Sequence, residues 1–262
     1  MKLAHKTAIV TGASKGIGRA IAVRLAQEGA TVAASARNAE ELNQLVAEIE
    51  SLGGAAQALA LDLRDPENPG RLVQRALERF GGIDIVVNNA GATRRGEFEE
   101  LTEEDWMDGF ALKFFGAVRL SRAAWPYLKA SHGSLVFISG IGGRTPGRQF
   151  AIGGSVNAAL LSLTKALADA GIRDGIQVNT VSPGTIRTVR FAARIAAFAA
   201  EQNMGESIDV SRAEREYVQQ ANITRIGEPS DIAALVAFIV SPEGRLLHGS
   251  LIDMDAGATK TI

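Results

Sequence analysis

The 262-residue chain contains no cysteine. That excludes disulfides, thiolate metal sites and cysteine nucleophiles, and it fits a reducing compartment. Aromatic residues amount to 5% of the chain against 46% hydrophobic residues overall, so alanine, valine, isoleucine and leucine must fill the interior. A formal net charge of -1 leaves no excess of one sign to attract nucleic acid or an anionic membrane surface. His5, His132 and His248 stand singly, without the spacing of metal ligands, and no metal is expected. No uninterrupted apolar run approaches the ~20 residues of a bilayer span. The opening residues enter an apolar segment directly at Thr7 and are too short and polar for a secretory signal. A soluble, cytoplasmic protein with a small-molecule ligand is the expectation.

What is present is an alternation. Short apolar runs at 7–11, 31–35, 56–61, 83–88, 134–139, 177–181 and 251–253 read as strands. Longer amphipathic stretches at 16–28, 39–51, 66–80, 103–128, 153–170 and 230–240 read as helices. Strands alternating with helices indicate a parallel sheet, and right-handed crossovers then place helices on both faces. The pattern predicts one α/β domain over residues 1–262, a doubly wound parallel sheet of about seven strands. Pro66 and Pro229 fall where a first helical turn tolerates a missing N–H, and Gly29 and Gly53 fall where a left-handed cap is expected. Residues 187–222 break the alternation: they are rich in alanine and phenylalanine, then highly charged. Such an insertion reads as a lid or binding loop.

Between the first strand and the first helix lies Thr11-Gly12-Ala13-Ser14-Lys15-Gly16-Ile17-Gly18. Glycines there permit a tight turn and let main-chain N–H groups reach a pyrophosphate at the positive end of the helix. The spacing alone is equally that of an ordinary glycine-rich turn. Its place inside a βαβ unit favours dinucleotide binding.

Further landmarks follow in order: Asp62-Leu63, Asn88-Asn89-Ala90-Gly91, then 178–184 (Val-Asn-Thr-Val-Ser-Pro-Gly), 225–233 and Asp255-Ala256-Gly257. Taken together they resemble the short-chain dehydrogenase/reductase family over almost the whole chain. The resemblance implies a Rossmann fold and a nicotinamide cofactor. Carried over by position, Gly12, Ser14, Gly16, Ile17 and Gly18 hold the diphosphate, and Asp62 and Leu63 hold the adenine. Asn89, Ala90 and Gly91 line the ribose side, and Pro183, Gly184, Ile186 and Thr188 lie along the nicotinamide. An acidic residue at the end of the second strand accepts from a free 2′-hydroxyl, whereas arginine favours a 2′-phosphate. That position is Ala36, followed by Arg37, with Lys15 in the glycine loop. Two cations without a carboxylate suit a phosphate dianion, and an NADP(H) preference over NAD(H) is expected; the alternative is two solvated surface cations.

The catalytic positions depart from the family pattern. The family places a tyrosine and a lysine four residues apart in a helix, a serine after the fifth strand and an asparagine in the preceding helix. In register, these positions read Gly153, Asn157, Gly140 and Lys113. Asparagine and lysine are therefore exchanged. Lys113 would supply a cation and Asn157 a ribose hydrogen bond, and a desolvated Lys113 could act as acid or base. The alternative is a Lys113 that reaches solvent along an apolar helix. Ser139 stands one residue from the serine position, with strand alternation turning its side chain away. The glycines at 140, 142, 143, 153 and 154 suggest a site emptied of side chains. Arg144 and Arg148 could clamp a carboxylate or lie solvated.

Two function classes follow. The first is an NADP(H)-dependent oxidoreductase acting on a carbonyl or alcohol with a non-standard proton relay. The second is a cofactor-binding pseudoenzyme, a sensor or scaffold without redox turnover. The family's habit of associating through its two long helices implies a homo-oligomer, a tetramer by preference.

Overall fold

The computed structural model describes residues 1–202 and 210–261. Seven strands form one parallel sheet: β1 (Thr7–Thr11), β2 (Thr31–Ala36), β3 (Ala55–Ala60), β4 (Ile85–Asn88), β5 (Ser134–Ile138), β6 (Gln177–Pro183) and β7 (Leu251–Met254). Their order is β3-β2-β1-β4-β5-β6-β7. Successive crossovers run outward in opposite directions from the β1–β4 pair, so the loops after these two strands diverge and open a crevice at their carboxyl ends.

The central strands are buried on both faces and feed two separate cores. Along β1, Ala8 and Val10 join one cluster while Ile9 joins the other; along β5, Val136 and Ile138 oppose Leu135 and Phe137. Period-two alternation thus divides an unbroken apolar strand between two layers. The first layer receives α1 (Gly16–Gln27), α2 (Ala39–Ser51) and α9 (Pro229–Ile239). The second receives α3 (Asn68–Phe80), α5 (Gly116–Ser131) and α6 (Ala151–Asp174). The doubly wound α/β architecture of seven strands is the one expected.

Local signals explain most boundaries. Pro229 occupies the first position of α9, and Asn38 caps α2 by accepting from the Glu41 amide. Gly29 and Gly53 adopt φ of +98° and +80° after their helices, conformations that cost other residues more. Pro66 does not open the third helix. That helix begins at Asn68 and carries Pro69 in its first turn.

Two stretches differ more. The expected helix over 103–128 is interrupted: α4 (Glu103–Phe110) runs into a π-turn (Ala111–Phe115) before α5 resumes. A π-turn inserts an extra residue into the helical register and re-aims the side chains on it. The irregular 187–222 stretch is largely helical, comprising α7 (Val189–Glu201) and α8 (Val210–Gln220); residues 203–209 lie outside the described residues. Phe191, Ile195, Ala199 and Ala213 bury a small core of their own with Ile226. One helix, Arg148–Asp174, reaches the length and mean hydropathy (1.3) of a membrane span, with 44% of that window buried, although no single apolar run in the sequence is that long. It packs on the sheet beside β6.

The β6 edge depends on Asn179, which is fully buried. Its Nδ2 donates to the Leu247 carbonyl at 2.8 Å, and its Oδ1 accepts from the Ser250 amide at 2.9 Å. Asn179→Ala leaves the Ser250 amide without its partner, at about 1–3 kcal/mol, while the Leu247 carbonyl keeps the Gln177 Nε2 donor at 2.8 Å. Urea denaturation is therefore expected to show a loss of at least about 1 kcal/mol; a loss under about 0.5 kcal/mol would contradict this role.

Candidate active site

The crevice opens where Thr11 ends β1. Its Oγ1 accepts from the amides of Asn89 and Ala90, both at 3.0 Å. Asn89 Nδ2 in turn donates to the carbonyls of Thr11 (2.9 Å) and Gly12 (3.2 Å). These four bonds lock the two diverging loops together. The Asn89 side-chain N–H groups thus hold the glycine turn.

The turn has no room for side chains. Gly12 sits at φ +64°, where an added Cβ would lie 2.9 Å from Asn89 Nδ2; at Gly18 it would lie 2.2 Å from the Gly12 carbonyl oxygen. Lys15 precedes α1 without a side-chain cap bond, and no acidic residue occupies the first turn. The opening amides of α1 therefore lack intrahelical partners, and its positive end is uncompensated. Thr188, at the N-terminus of α7, approaches across this gap: a Cβ at Gly16 would meet its Cγ2 at 3.3 Å. Free amides, a helix dipole and a cradle that a Cβ would fill suit the diphosphate of a dinucleotide.

The remaining cofactor positions divide into engaged and available groups. The Asp62 carboxylate accepts from the Arg64 amide at 3.1 Å and its guanidinium at 2.9 Å, and Leu63 is buried. Pro183 ends β6. Gly184 passes so near Asp255 that a Cβ would lie 2.7 Å from its Cα. Ile186 forms a parallel bridge with Gly227. Arg37 is exposed and makes no ion pair among the described residues. Lys15, in contrast, lies 3.5 Å from Glu41. That carboxylate was not anticipated, because it comes from α2 and not from the strand end.

Lys113 sits at the centre of the π-turn. Its Nζ donates to Asn157 Oδ1 at 2.5 Å and to the Ser139 carbonyl at 2.9 Å. The stem lies against Gly91, where a Cβ would meet Lys113 Cδ at 2.7 Å. Asn157 is buried, and its amide packs over Gly140 at 2.9 Å from a notional Cβ. Burial, with the nearby Arg190 guanidinium adding to it, pushes the Lys113 ammonium down from 10.5 to about 7. Both protonation states are then populated near neutral pH. Ser139 is buried and donates its hydroxyl to the Asn157 carbonyl at 3.1 Å. It anchors α6 through that bond, and its carbonyl holds Lys113.

The glycine-rich surroundings are not empty. The ring of Phe150 fills the space beside Gly153 and Gly142: a Cβ at Gly153 would lie 2.1 Å from its Cζ, and one at Gly142 would lie 2.8 Å from Cδ1. The sequence expectation of a vacated site is corrected here, because a ring placed just before α6 swings back over its first turn. Arg95 stacks on that ring, 4.1 Å from its centroid. Arg144 and Arg148 are paired, with Asp253 (3.1 Å) and Glu97 (2.9 Å). Tyr217 bonds Thr185 at 3.0 Å and packs edge-on to Phe191 and Phe198, inside the α7–α8 core.

Phe150, Arg95 and Arg190 were missed by sequence reasoning, since each acts on a neighbour distant in the chain.

Comparison with known proteins agrees with the fold. Residues 12–259 match the family described as enoyl-(acyl carrier protein) reductase. An uncharacterized oxidoreductase of Mycobacterium tuberculosis is 35% identical over 98% of this chain and 94% of its own length. The L-sorbose reductase of Gluconobacter frateurii, solved with NADPH and L-sorbose, superposes with a TM-score of 0.92 at 31% identity, covering 100% of both chains. A short-chain dehydrogenase from Burkholderia cenocepacia, solved with NADP, gives 0.83 at 35% identity over 98% of this chain and 99% of that one. A glycine turn knotted to the end of β4, on a sheet shared with these proteins along its whole length, makes this chain a member of the short-chain dehydrogenase/reductase family.

Proposed function

We propose that the protein is an NADP(H)-dependent oxidoreductase that reduces a carbonyl or oxidises an alcohol, with Lys113 as its proton donor and acceptor. The observation that carries this reading is the lodging of Lys113 Nζ between Asn157 Oδ1 and the Ser139 carbonyl. The family's tyrosine and lysine positions are Gly153 and Asn157 here, so the usual hydroxyl donor is replaced. A bound reduced nicotinamide would supply the hydride.

Lys113 suits the proton's side of that reaction. An ammonium has three N–H groups, and two are spent on the oxygens named above. The third is available to a substrate oxygen. After that proton is given up, the amine keeps two donors for the same two oxygens, and its lone pair takes the vacated direction. The site therefore needs no rearrangement between its two states. Solvent restores the proton, and the pKa of about 7 matches a general acid to neutral pH. Asn157 and Ser139 act as positioning residues: one orients the ammonium, and the other fixes both it and α6. Arg190 is the charged group facing Lys113.

For the cofactor, Arg37 supports a preference for the 2′-phosphate. Lys15 adds to it only where a phosphate displaces Glu41. Pairing a guanidinium with phosphate is worth about 1.5–3 kcal/mol, or roughly tenfold or more in affinity.

Two outcomes are expected. Arg37→Ala should weaken NADPH binding about tenfold in calorimetry and leave NADH binding nearly unchanged; equal losses for both would contradict the preference. In a carbonyl panel followed by NADPH absorbance, kcat/KM for reduction should be flat at low pH and fall above pH about 7, where Lys113 loses its proton. Oxidation should show the opposite limb. Lys113→Met should lower kcat by about 100-fold or more and abolish that limb while NADPH still binds. An unchanged pH profile in Lys113→Met would remove Lys113 from the chemistry. NADPH binding without turnover of any carbonyl or alcohol would favour the pseudoenzyme reading.

A further inference from the structure

We infer that the substrate carries an oxyanion, a carboxylate or a phosphate, gripped by Arg95, Arg190 and Arg194. The inference rests on the oxidoreductase reading only for the identity of the ligand as a substrate.

The three arginines come from two elements and converge. Arg95 lies in the loop after β4 and stacks over Phe150, which itself covers Gly153. Arg190 and Arg194 are four residues apart on α7, hence on one face of it. Arg190 Nη2 donates to the Gly91 carbonyl at 2.5 Å, and Arg194 Nη1 donates to Thr185 Oγ1 at 3.2 Å. The ring of contacts closes on Lys113, whose stem packs on Gly91. The three guanidiniums therefore lie within one another's fields, and Arg190 also lies within that of Lys113. Arg95 feels burial first, then the fields of Arg194 and Arg190, and holds its proton less tightly than a free guanidinium.

Several other arginines of the protein are neutralised by carboxylates. Arg64 pairs with Asp62 and Asp108, Arg144 with Asp253, Arg148 with Glu97, and Arg225 with Asp231. Arg187, just outside the cluster, is held by Glu214 and Glu228. Among the described residues no carboxylate pairs with Arg95, Arg190 or Arg194. Each is positioned by a neutral partner instead: a ring, a carbonyl or a hydroxyl. A guanidinium has five donors, so most remain unused. Like charges gathered without a counter-ion repel, and an anion placed among them is bound by charge-assisted, bidentate contacts. Because Arg95 lies on Phe150 and Arg190 on Gly91, that anion would sit beside the Lys113 ammonium. This places a reacting carbonyl a few bonds from the charged group.

The test uses three small three-carbon probes at low ionic strength, where exposed charges are least screened. Dihydroxyacetone is neutral, dihydroxyacetone phosphate carries a phosphate, and hydroxypyruvate carries a carboxylate. Each is titrated by calorimetry into the full chain, with and without saturating NADPH. At least one anionic probe is expected to bind tenfold or more tightly than dihydroxyacetone, and the tighter of the two identifies the oxyanion. Arg95→Gln and Arg194→Gln should each remove most of that difference, with NADPH affinity changed less than twofold. Equal binding of charged and neutral probes, in both the apo and the NADPH-loaded protein, would overturn the inference. So would variants that retain the anion preference, or variants whose main loss is NADPH affinity, since the arginines would then serve the coenzyme. NADPH binding is read separately. Its absence in the unaltered protein would sink the oxidoreductase reading, while the apo titration still decides the oxyanion site.

Discussion

A lysine ammonium held between two oxygens constrains everything around it. Lys113 reaches Asn157 and Ser139 from the centre of the π-turn, where the helical register changes. Gly91 must lack a side chain because the lysine stem occupies that space. Gly140 must lack one because the Asn157 amide lies over it. Ser139 closes the arrangement from below, with its hydroxyl on the Asn157 carbonyl and its own carbonyl on the ammonium. A partly neutral lysine costs less to enclose than a permanent charge, which explains how the protein accommodates it without a carboxylate beside it.

The second organising feature is the knot between β1 and β4. Thr11 and Asn89 exchange bonds across the point where the sheet changes winding direction. The glycine turn inherits its shape from that knot. Gly18 cannot accept a Cβ because the Gly12 carbonyl, pinned by Asn89, already stands there. Thr188 then brings the start of α7 against Gly16, so that helix and the glycine turn meet at one place. Arg190 and Arg194 ride on the same helix, which ties the position of the arginines to that of the turn.

Much of this was legible in the amino-acid order. Strand periods and cap residues are local, so the seven strands, their sides and most helix starts could be read directly. That positions 113 and 157 belong to one neighbourhood was legible too, because the motifs flanking both set their place in the chain. What could not be read were contacts that depend on how a side chain turns. Phe150 lies three residues before Gly153 and looks like any loop aromatic, yet its ring folds back into the space that glycine leaves. Glu41 reaches Lys15 from another element. The arginines resemble solvated surface charges in sequence, and only their neighbours reveal that Arg144 and Arg148 are neutralised while Arg95 and Arg194 are not. The 187–222 stretch resisted because its apolar residues serve a small separate core, so its periodicity does not point at the main sheet.

The account stands or falls on the state of one amine. Selective ¹⁵N labelling of lysine, with the Nζ resonance of Lys113 assigned by comparison with Lys113→Met, allows its titration to be followed directly. A midpoint near 7 is expected, in agreement with an ammonium enclosed by protein and faced by Arg190. A midpoint at the ordinary lysine value of about 10.4 would show a solvated side chain and contradict the proton relay proposed for this site.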